Sequence, residues 1–126
     1  MFVSHLACPK CKATYESNKT IQLCSCGSPL LVEYDLKKAA KTLTKESLAV
    51  RRNDLWRYRE LLPVRNENNI VSLGEGMTPI LKLENIGDDI GLSNLFLKDE
   101  GIIPTGTFKA RGAAVGVSMA KELGVT

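Results

Sequence analysis

Apolar residues occur along this chain in short runs that are separated by polar, glycine-rich and proline-rich stretches. Residues 30–34, Leu-Leu-Val-Glu-Tyr, form a β-like run. Asp35 follows as an N-cap for a helix with apolar residues at helical spacing. Farther on, residues 95–98 predict a buried strand, and residues 107–123 predict one continuous helix. The apolar face of the first helix would consist of Leu36, Ala39, Ala40 and Leu43.

A strand that leads through a tight turn into a helix is typical of α/β proteins, which is the fold class we predict. The final helix carries small residues on several faces, and this predicts burial between layers or close to another backbone. The helix gives way to Gly124, and residues 125–126 have the character of the next strand. We therefore expect the chain to be an N-terminal piece of a larger enzyme. The small residues are Ala110, Gly112, Ala113, Ala114 and Gly116.

The composition is that of an ordinary globular protein. A chain of 126 residues with a net charge of +3 suits one domain, or a small module plus part of a larger one. The basic residues are scattered, so nucleic acid is not an expected partner. No apolar run is long enough to span a membrane, and the first residues do not have the pattern of a signal peptide. We expect a cytoplasmic protein with reduced cysteines and no membrane partner.

Four cysteines lie in two short clusters near the beginning of the chain. Cys8 and Cys11 have a C-x2-C spacing, and Cys24 and Cys26 have a C-x-C spacing. Four thiolates in two tight turns suit a tetrahedral Zn²⁺ ion with a structural role, because no coordination position stays open for a substrate. The C-x-C cluster departs from the usual ribbon spacing. Two disulfides, or a site without metal, are the alternatives.

A second candidate site is Lys109, which follows a Pro-Thr-Gly turn and lies on the first turn of the predicted helix. The partial positive charge of a helix N-terminus disfavours a protonated amine beside it, and desolvation by neighbouring apolar groups acts in the same direction. A neutral amine is nucleophilic and can form a Schiff base. The alternative is a solvated lysine of the kind found on most protein surfaces.

The stretch Pro-Thr-Gly-Thr-Phe-Lys-Ala-Arg-Gly at residues 104–112 resembles the cofactor-lysine motif of the fold-type II pyridoxal-phosphate enzymes, and most closely that of the threonine synthase branch. The resemblance implies that Lys109 carries pyridoxal 5'-phosphate (PLP) and that Phe108 and Thr107 contact it. The sequence departs from the commonest motif at Thr107, usually serine, and at Ala110, often aspartate. Thr107 keeps a hydroxyl that can cap the helix or touch the cofactor.

Three other stretches are similar to the same family and occur in its order. The loop at residues 74–79, Gly-Glu-Gly-Met-Thr-Pro, implies that Thr78 contacts substrate, whereas Glu75 either is structural or orients polar groups. Residues 98–101, Lys-Asp-Glu-Gly, match the segment between strand and cofactor loop. The cysteine module also has relatives in the family. Arg111 projects to another side of the helix, and we expect it to form a structural salt bridge. Trp56 and Leu62 would pack an amphipathic arm onto the main domain.

The resemblance implies a tryptophan synthase β-like fold in three segments: a zinc-ribbon-like module at residues 1–34, a helical arm at 35–69, and the start of the PLP domain at 70–126. The implied reaction converts O-phospho-L-homoserine and water to L-threonine and phosphate, and we expect the chain to be inactive alone. Alternatives are another fold-type II enzyme, such as a cysteate synthase or a threonine dehydratase-like lyase, or a non-enzymatic zinc-ribbon interaction module. The oligomeric state stays open.

Overall fold

The first element of the fold is a small antiparallel sheet. A computed structural model describes residues 1–125 of the chain. In it β1 (Val3–Ala7) lies between β2 (Thr14–Tyr15) and β3 (Leu31–Tyr34), so that the strand order is β2-β1-β3. The predicted run at residues 30–34 is therefore a strand. The turns that leave β1 and precede β3 carry the four cysteines, which places both clusters at one end of the sheet.

Two short helices follow this sheet. Asp35 is the N-cap of α1 (Leu36–Thr42), as predicted, and its carboxylate accepts a hydrogen bond from the Lys38 backbone N–H at 3.0 Å. The predicted apolar face is wrong in part, because only Ala39 is buried and Leu36 is 65% exposed. A helix of only two turns makes little contact with its neighbours, and here only its central residue, Ala39, is buried. A second short helix, α2 (Lys45–Ala49), begins with a capping box.

The arm continues as a 3₁₀ helix over Leu55–Leu61, which buries Trp56 and Glu60. Trp56 is buried, as predicted, and Leu62 is half-buried. The Nη1 and Nη2 atoms of Arg51 each donate a hydrogen bond to the Glu60 carboxylate at 2.7 Å. This bidentate pair joins the end of α2 to the 3₁₀ helix. A further 3₁₀ turn, Glu67–Asn69, leads to the second half of the chain.

The second half contains a two-stranded antiparallel sheet of β4 (Ile80–Lys82) and β5 (Phe96–Lys98), joined through α3 (Glu84–Asp89). A strand was predicted at residues 95–98, but its predicted burial is wrong. Phe96 is 54% exposed and Leu97 is 46% exposed. The apolar run does indicate a strand, but within residues 1–125 it pairs with β4 alone, and this ribbon leaves its apolar side chains accessible.

The last helix, α4, spans Lys109–Glu122 and begins two residues later than predicted. Its first turn is delayed because Gly106 adopts a positive φ of 68° and Phe108 forms the N-cap. The expected burial is found on one face only: Ala110 and Ser118 are buried, whereas Gly112 and Gly116 are exposed. None of the helices within residues 1–125 is long and apolar enough to cross a bilayer.

A clasp of polar groups holds α4 against the arm. Ser118 is fully buried, and its hydroxyl accepts a hydrogen bond from the Val71 backbone N–H at 2.8 Å. One turn farther, the Glu122 carboxylate accepts the backbone N–H groups of Arg65 and Asn66 at 2.8–2.9 Å. Because both contacts are made by the same face of α4, they fix the orientation of the helix relative to the segment that contains Arg65, Asn66 and Val71.

Candidate functional site

The structure brings all four cysteines together. Their Sγ atoms lie within 4.8 Å of one another, with 3.6 Å between Cys8 and Cys26 and 3.4 Å between Cys11 and Cys24. The second turn closes through a hydrogen bond from the Gly27 N–H to the Cys24 carbonyl at 2.8 Å. Gly27 has a φ of +80°, a conformation that glycine adopts without strain.

The donor set fits a four-coordinate metal ion. Zn–S bonds of about 2.3 Å in a tetrahedron place the sulfur atoms about 3.8 Å apart, close to the separations found here. The sulfurs of a disulfide lie about 2.0 Å apart, and all four cysteines are free thiols in the structure. Four cysteines would fill every position of such an ion, so the site would stabilise the fold and leave no ligand position for a substrate.

Tyr15 is a member of this site that the sequence analysis missed. Its hydroxyl lies 3.1 Å from the Cys24 Sγ atom and also accepts the backbone N–H of Ser25 at 3.2 Å. The backbone N–H of Cys26 and the Tyr15 hydroxyl together lower the pKa of the Cys24 thiol to about 6. The lowered pKa favours the thiolate, which is the form that binds a metal. Tyr15 pairs with Leu6 at the edge of the first sheet, and the spacing of the cysteines in the sequence carries no signal for its contact with Cys24.

Lys109 lies on the first turn of α4, as predicted, and is the first residue of the helix. Its side chain is exposed, and its Nζ atom lies 4.5 Å from the centre of the Phe108 ring. Phe108 is 63% exposed. In the described part of the chain, the Lys109 amine forms no salt bridge with a carboxylate.

The start of α4 has no side-chain cap. Phe108 is the N-cap residue, so the capping role considered for Thr107 is not observed. The Thr107 backbone carbonyl accepts a hydrogen bond from the Thr105 hydroxyl at 3.2 Å and from the Ala110 N–H at 3.1 Å. The uncapped N–H groups and the unpaired amine suit an anionic group with a reactive carbonyl, which is the chemistry of PLP. The residues present therefore fit the cofactor.

Thr78 lies against α4 but not in an open position. It is 6% exposed, and its hydroxyl donates a hydrogen bond to the Glu100 carboxylate. The Thr78 hydroxyl oxygen also accepts a hydrogen bond from Arg111 Nη2 at 3.3 Å. Arg111 also binds Glu100 through two nitrogens, at 2.8 and 2.9 Å, which is the expected salt bridge. Thr78 is thus joined to the helix that begins with Lys109. Its hydroxyl forms hydrogen bonds with both members of the Glu100–Arg111 ion pair.

Glu100 is firmly ionised in this arrangement. The guanidinium of Arg111, followed by the Thr78 hydroxyl, lowers the pKa of the Glu100 carboxyl to about 2. The ion pair joins three segments: the loop before β4, the loop after β5 and the first turn of α4. Sequence reasoning predicted a salt bridge for Arg111 but did not identify its partner.

The Gly-Glu-Gly loop is structural in this fold. Glu75 is 1% exposed, and its carboxylate accepts hydrogen bonds from Trp56 Nε1 at 3.2 Å, from the Ser72 hydroxyl and from the Leu73 N–H. Its backbone carbonyl accepts the Leu55 N–H at 2.7 Å. The loop therefore docks onto the arm through the Glu75 carboxylate and carbonyl, and the same carboxylate orients the Ser72 hydroxyl.

Lys109 and the first sheet lie at opposite ends of α4. Lys109 begins the helix, whereas Met119 and Leu123 at its other end line a cavity of about 200 Å³ together with Leu6 and Val32 of the first sheet. A helix of this length extends roughly 20 Å. The first sheet therefore borders the end of α4 that is remote from Lys109.

Comparison with known proteins first shows which class of protein this chain resembles. Residues 71–126, which include the Gly-Glu-Gly loop and Lys109, match the family model described as pyridoxal-phosphate dependent enzyme. The particular relatives are threonine synthases. The enzyme of Methanocaldococcus jannaschii is 44% identical over 118 residues, which are 94% of this chain and 29% of that protein. The enzyme of Methanosarcina acetivorans is 40% identical over 122 residues, with shares of 96% and 29%.

A further threonine synthase, from Halalkalibacterium halodurans, is 46% identical over 70 residues, which are 56% of this chain and 20% of that protein. The similarity inferred from the motifs is therefore confirmed: the chain is related to the threonine synthases along nearly its whole length. It spans less than a third of the length of these relatives.

Proposed function

We propose that this chain provides the cofactor lysine of a threonine synthase, which converts O-phospho-L-homoserine and water to L-threonine and phosphate. The observation that carries the proposal is the position of Lys109. It is an exposed amine on the first turn of α4, within the segment that matches the pyridoxal-phosphate family. Identity of 44% with a threonine synthase along 94% of the chain supports this reaction among those of the class.

The residues of this chain would divide the work as follows. Lys109 would hold PLP through its Nζ atom, with Phe108 and Thr107 beside it. Bound PLP withdraws electrons from the substrate carbons next to the amino group. The Lys109 amine, when free, would move protons between the α, β and γ carbons of the substrate. Thr78 would contribute to the substrate side of the site while it holds Arg111 in place.

We further propose that the segments act as units: residues 1–34 as a metal-bound module, 35–69 as an arm and 70–126 as part of the PLP domain. β3 ends at Tyr34, and the cap of α1 follows at once, which supports the first boundary. The chain matches only 29% of the length of the archaeal enzymes, so we expect no turnover by these residues alone.

The proposal is tested in a chimera in which residues 1–126 replace the aligned segment of the Methanocaldococcus jannaschii enzyme. We expect release of phosphate from O-phospho-L-homoserine and formation of threonine. Lys109→Ala should lower the rate by about 10³-fold or more, because the group that holds the cofactor and moves protons is lost. Lys121→Ala, on the same helix, is the matched control and should change the rate by less than about threefold.

Borohydride reduction followed by peptide mass analysis gives a second readout, since it fixes PLP to the lysine that holds it. Label on Lys109 without phosphate release would overturn the substrate assignment and favour a cysteate synthase or a threonine dehydratase-like lyase. Full activity of Lys109→Ala would overturn the role of the lysine. Threonine formation by residues 1–126 alone would contradict the expected lack of turnover.

We also propose that the cysteine cluster binds one structural Zn²⁺ ion, in keeping with a reducing cytoplasm. Protein purified with zinc should contain about one ion per chain, and replacement by Co²⁺ should give the absorption of a tetrahedral four-thiolate complex. Cys11→Ser should abolish stoichiometric binding, whereas Ser28→Ala, in the same turn region, should not. A purified chain that holds no metal and shows four reactive thiols would contradict this proposal.

A further inference from the structure

A cleft of about 290 Å³ lies where the arm meets the loop before β4 and the first turn of α4. Arg111 lines it, whereas Lys109 does not. Arg111 and Lys109 are two residues apart on α4, which corresponds to a rotation of about 200° about the helix axis, so Arg111 and not Lys109 is the residue of α4 that meets the cleft. Its lining consists of Asp54, Arg57, Tyr58, Gly76, Met77, Thr78, Ile80, Lys98 and Arg111.

Arg57 is the least satisfied cation of this cleft. Its Nη2 atom donates to the Leu48 carbonyl at 2.6 Å. Its Nη1 atom makes a long contact with the Asn53 side-chain oxygen at 3.4 Å and reaches the Met77 sulfur, a weak acceptor, at 2.9 Å. Its Nε atom is buried without a hydrogen-bond partner, and no carboxylate among residues 1–125 forms a salt bridge with it. The guanidinium therefore carries a charge that no carboxylate of the described residues pairs with.

Lys98 supplies a second cation with little compensation. Its Nζ atom donates to the Thr78 carbonyl at 3.0 Å and lies 3.9 Å from the Glu100 carboxylate. That carboxylate is already bound bidentately by Arg111. The acidic lining residue, Asp54, is likewise committed, to the Arg52 side chain and to a backbone N–H.

We propose that this cleft binds a small phosphate-bearing anion. Arg57 offers a planar fork of donors, Lys98 offers a compact positive charge, and the exposed Tyr58 beside the Arg57 guanidinium adds a hydroxyl. A phosphate group carries up to two negative charges and several acceptor oxygens, so it can use two cations that a single carboxylate would not satisfy. The apolar lining from Met77 and Ile80 leaves room for a short carbon chain next to the phosphate.

The test is direct binding to the 126-residue chain at constant ionic strength, with inorganic phosphate and glycerol phosphate as probes and chloride as the balancing anion. Titration by NMR should show saturable shifts at the lining residues. Arg57→Gln and Lys98→Gln should each weaken binding by about 10-fold. Arg59→Gln is the matched control, since Arg59 lies on the same 3₁₀ helix but does not line the cleft. Its affinity should change by less than about twofold.

Three other results would contradict the proposed phosphate site. Loss of binding in Arg59→Gln to the same degree would show screening of surface charge and would overturn the proposal, as would shifts that do not saturate. Acetate that competes as well as phosphate would overturn the choice of ligand. Lys98 is exposed on β5, so Lys98→Gln keeps the test valid if Arg57→Gln does not fold. Because binding and not turnover is measured, the result is independent of the reaction proposed for Lys109.

Discussion

At the scale of single residues, Gly76 shows why the Gly-Glu-Gly loop has its composition. Gly76 has a φ of +148°, and a Cβ atom placed there would lie 2.7 Å from the Asp54 Cα atom. Only glycine allows the backbone of the loop to approach the arm so closely. The same approach brings the Glu75 carbonyl to the Leu55 N–H and the Glu75 carboxylate to Trp56.

Replacement of this glycine by alanine should therefore separate the loop from the arm. We expect Gly76→Ala to lower the free energy of unfolding by about 3 kcal/mol or more, because the clash is with backbone and cannot be relieved by a side chain. Gly74→Ala is the matched control: Gly74 also has a positive φ, but nothing lies within 4 Å of its Cβ position. Its cost should be about 1 kcal/mol.

Urea denaturation of both variants measures the difference. Equal costs for the two glycines would mean that backbone conformation, and not close approach, determines the composition of the loop. If Gly76→Ala is as stable as the unmodified chain, the contact with Asp54 is not needed at all.

At the scale of elements, the Arg51–Glu60 pair joins the end of α2 to the 3₁₀ helix. The Glu60 side chain is 5% exposed, and hydrogen bonds from the Arg51 guanidinium lower the pKa of the Glu60 carboxyl to about 2. Because this pKa lies below its value in the unfolded chain, the pair stabilises the fold above about pH 4.5. That contribution is lost as the pH falls from about 4.5 towards 2.

Glu60→Gln should lower the free energy of unfolding by about 1–3 kcal/mol at pH 7 and should flatten its decline between about pH 4.5 and 2. The control is Glu67→Gln, which removes an ion pair with Arg59 that is largely exposed. That change should cost less than about 1 kcal/mol. Denaturation at several pH values measures both effects, and an unchanged acid limb in Glu60→Gln would contradict the role given to the pair.

How much of this fold the sequence predicted depends on the range of the interaction. Local signals were reliable: the Asp35 cap, the strand before it, the cysteine pairs and the position of Lys109 all depend on neighbours within a few residues. Trp56 and Glu75 are 19 positions apart, and Thr78 and Arg111 are 33 apart. No pattern of period two or 3.6 specifies such partners, so these contacts were not predicted.

At the scale of the whole molecule, burial was the property predicted least well. Apolar runs at β5 and on α4 were taken as buried, yet Phe96, Leu97 and Val117 are all exposed in residues 1–125. An apolar sequence indicates that a surface is suited to a neighbouring layer; it does not show whether that layer is formed by the same stretch of chain. This chain spans less than a third of the length of its relatives, so the layers that would cover such surfaces in those proteins can come from residues outside the aligned part.

The clasp on α4 also has a consequence for the order in which the molecule is made. Glu122 binds backbone groups at Arg65, 57 residues earlier, and Ser118 binds Val71, 47 residues earlier. A ribosome that adds about 5–20 residues per second needs roughly 3–11 s to cover that distance. During this interval the arm has been synthesised but its partner has not. Lys109 is therefore made before the two residues of its own helix, Ser118 and Glu122, that join this helix to the earlier chain.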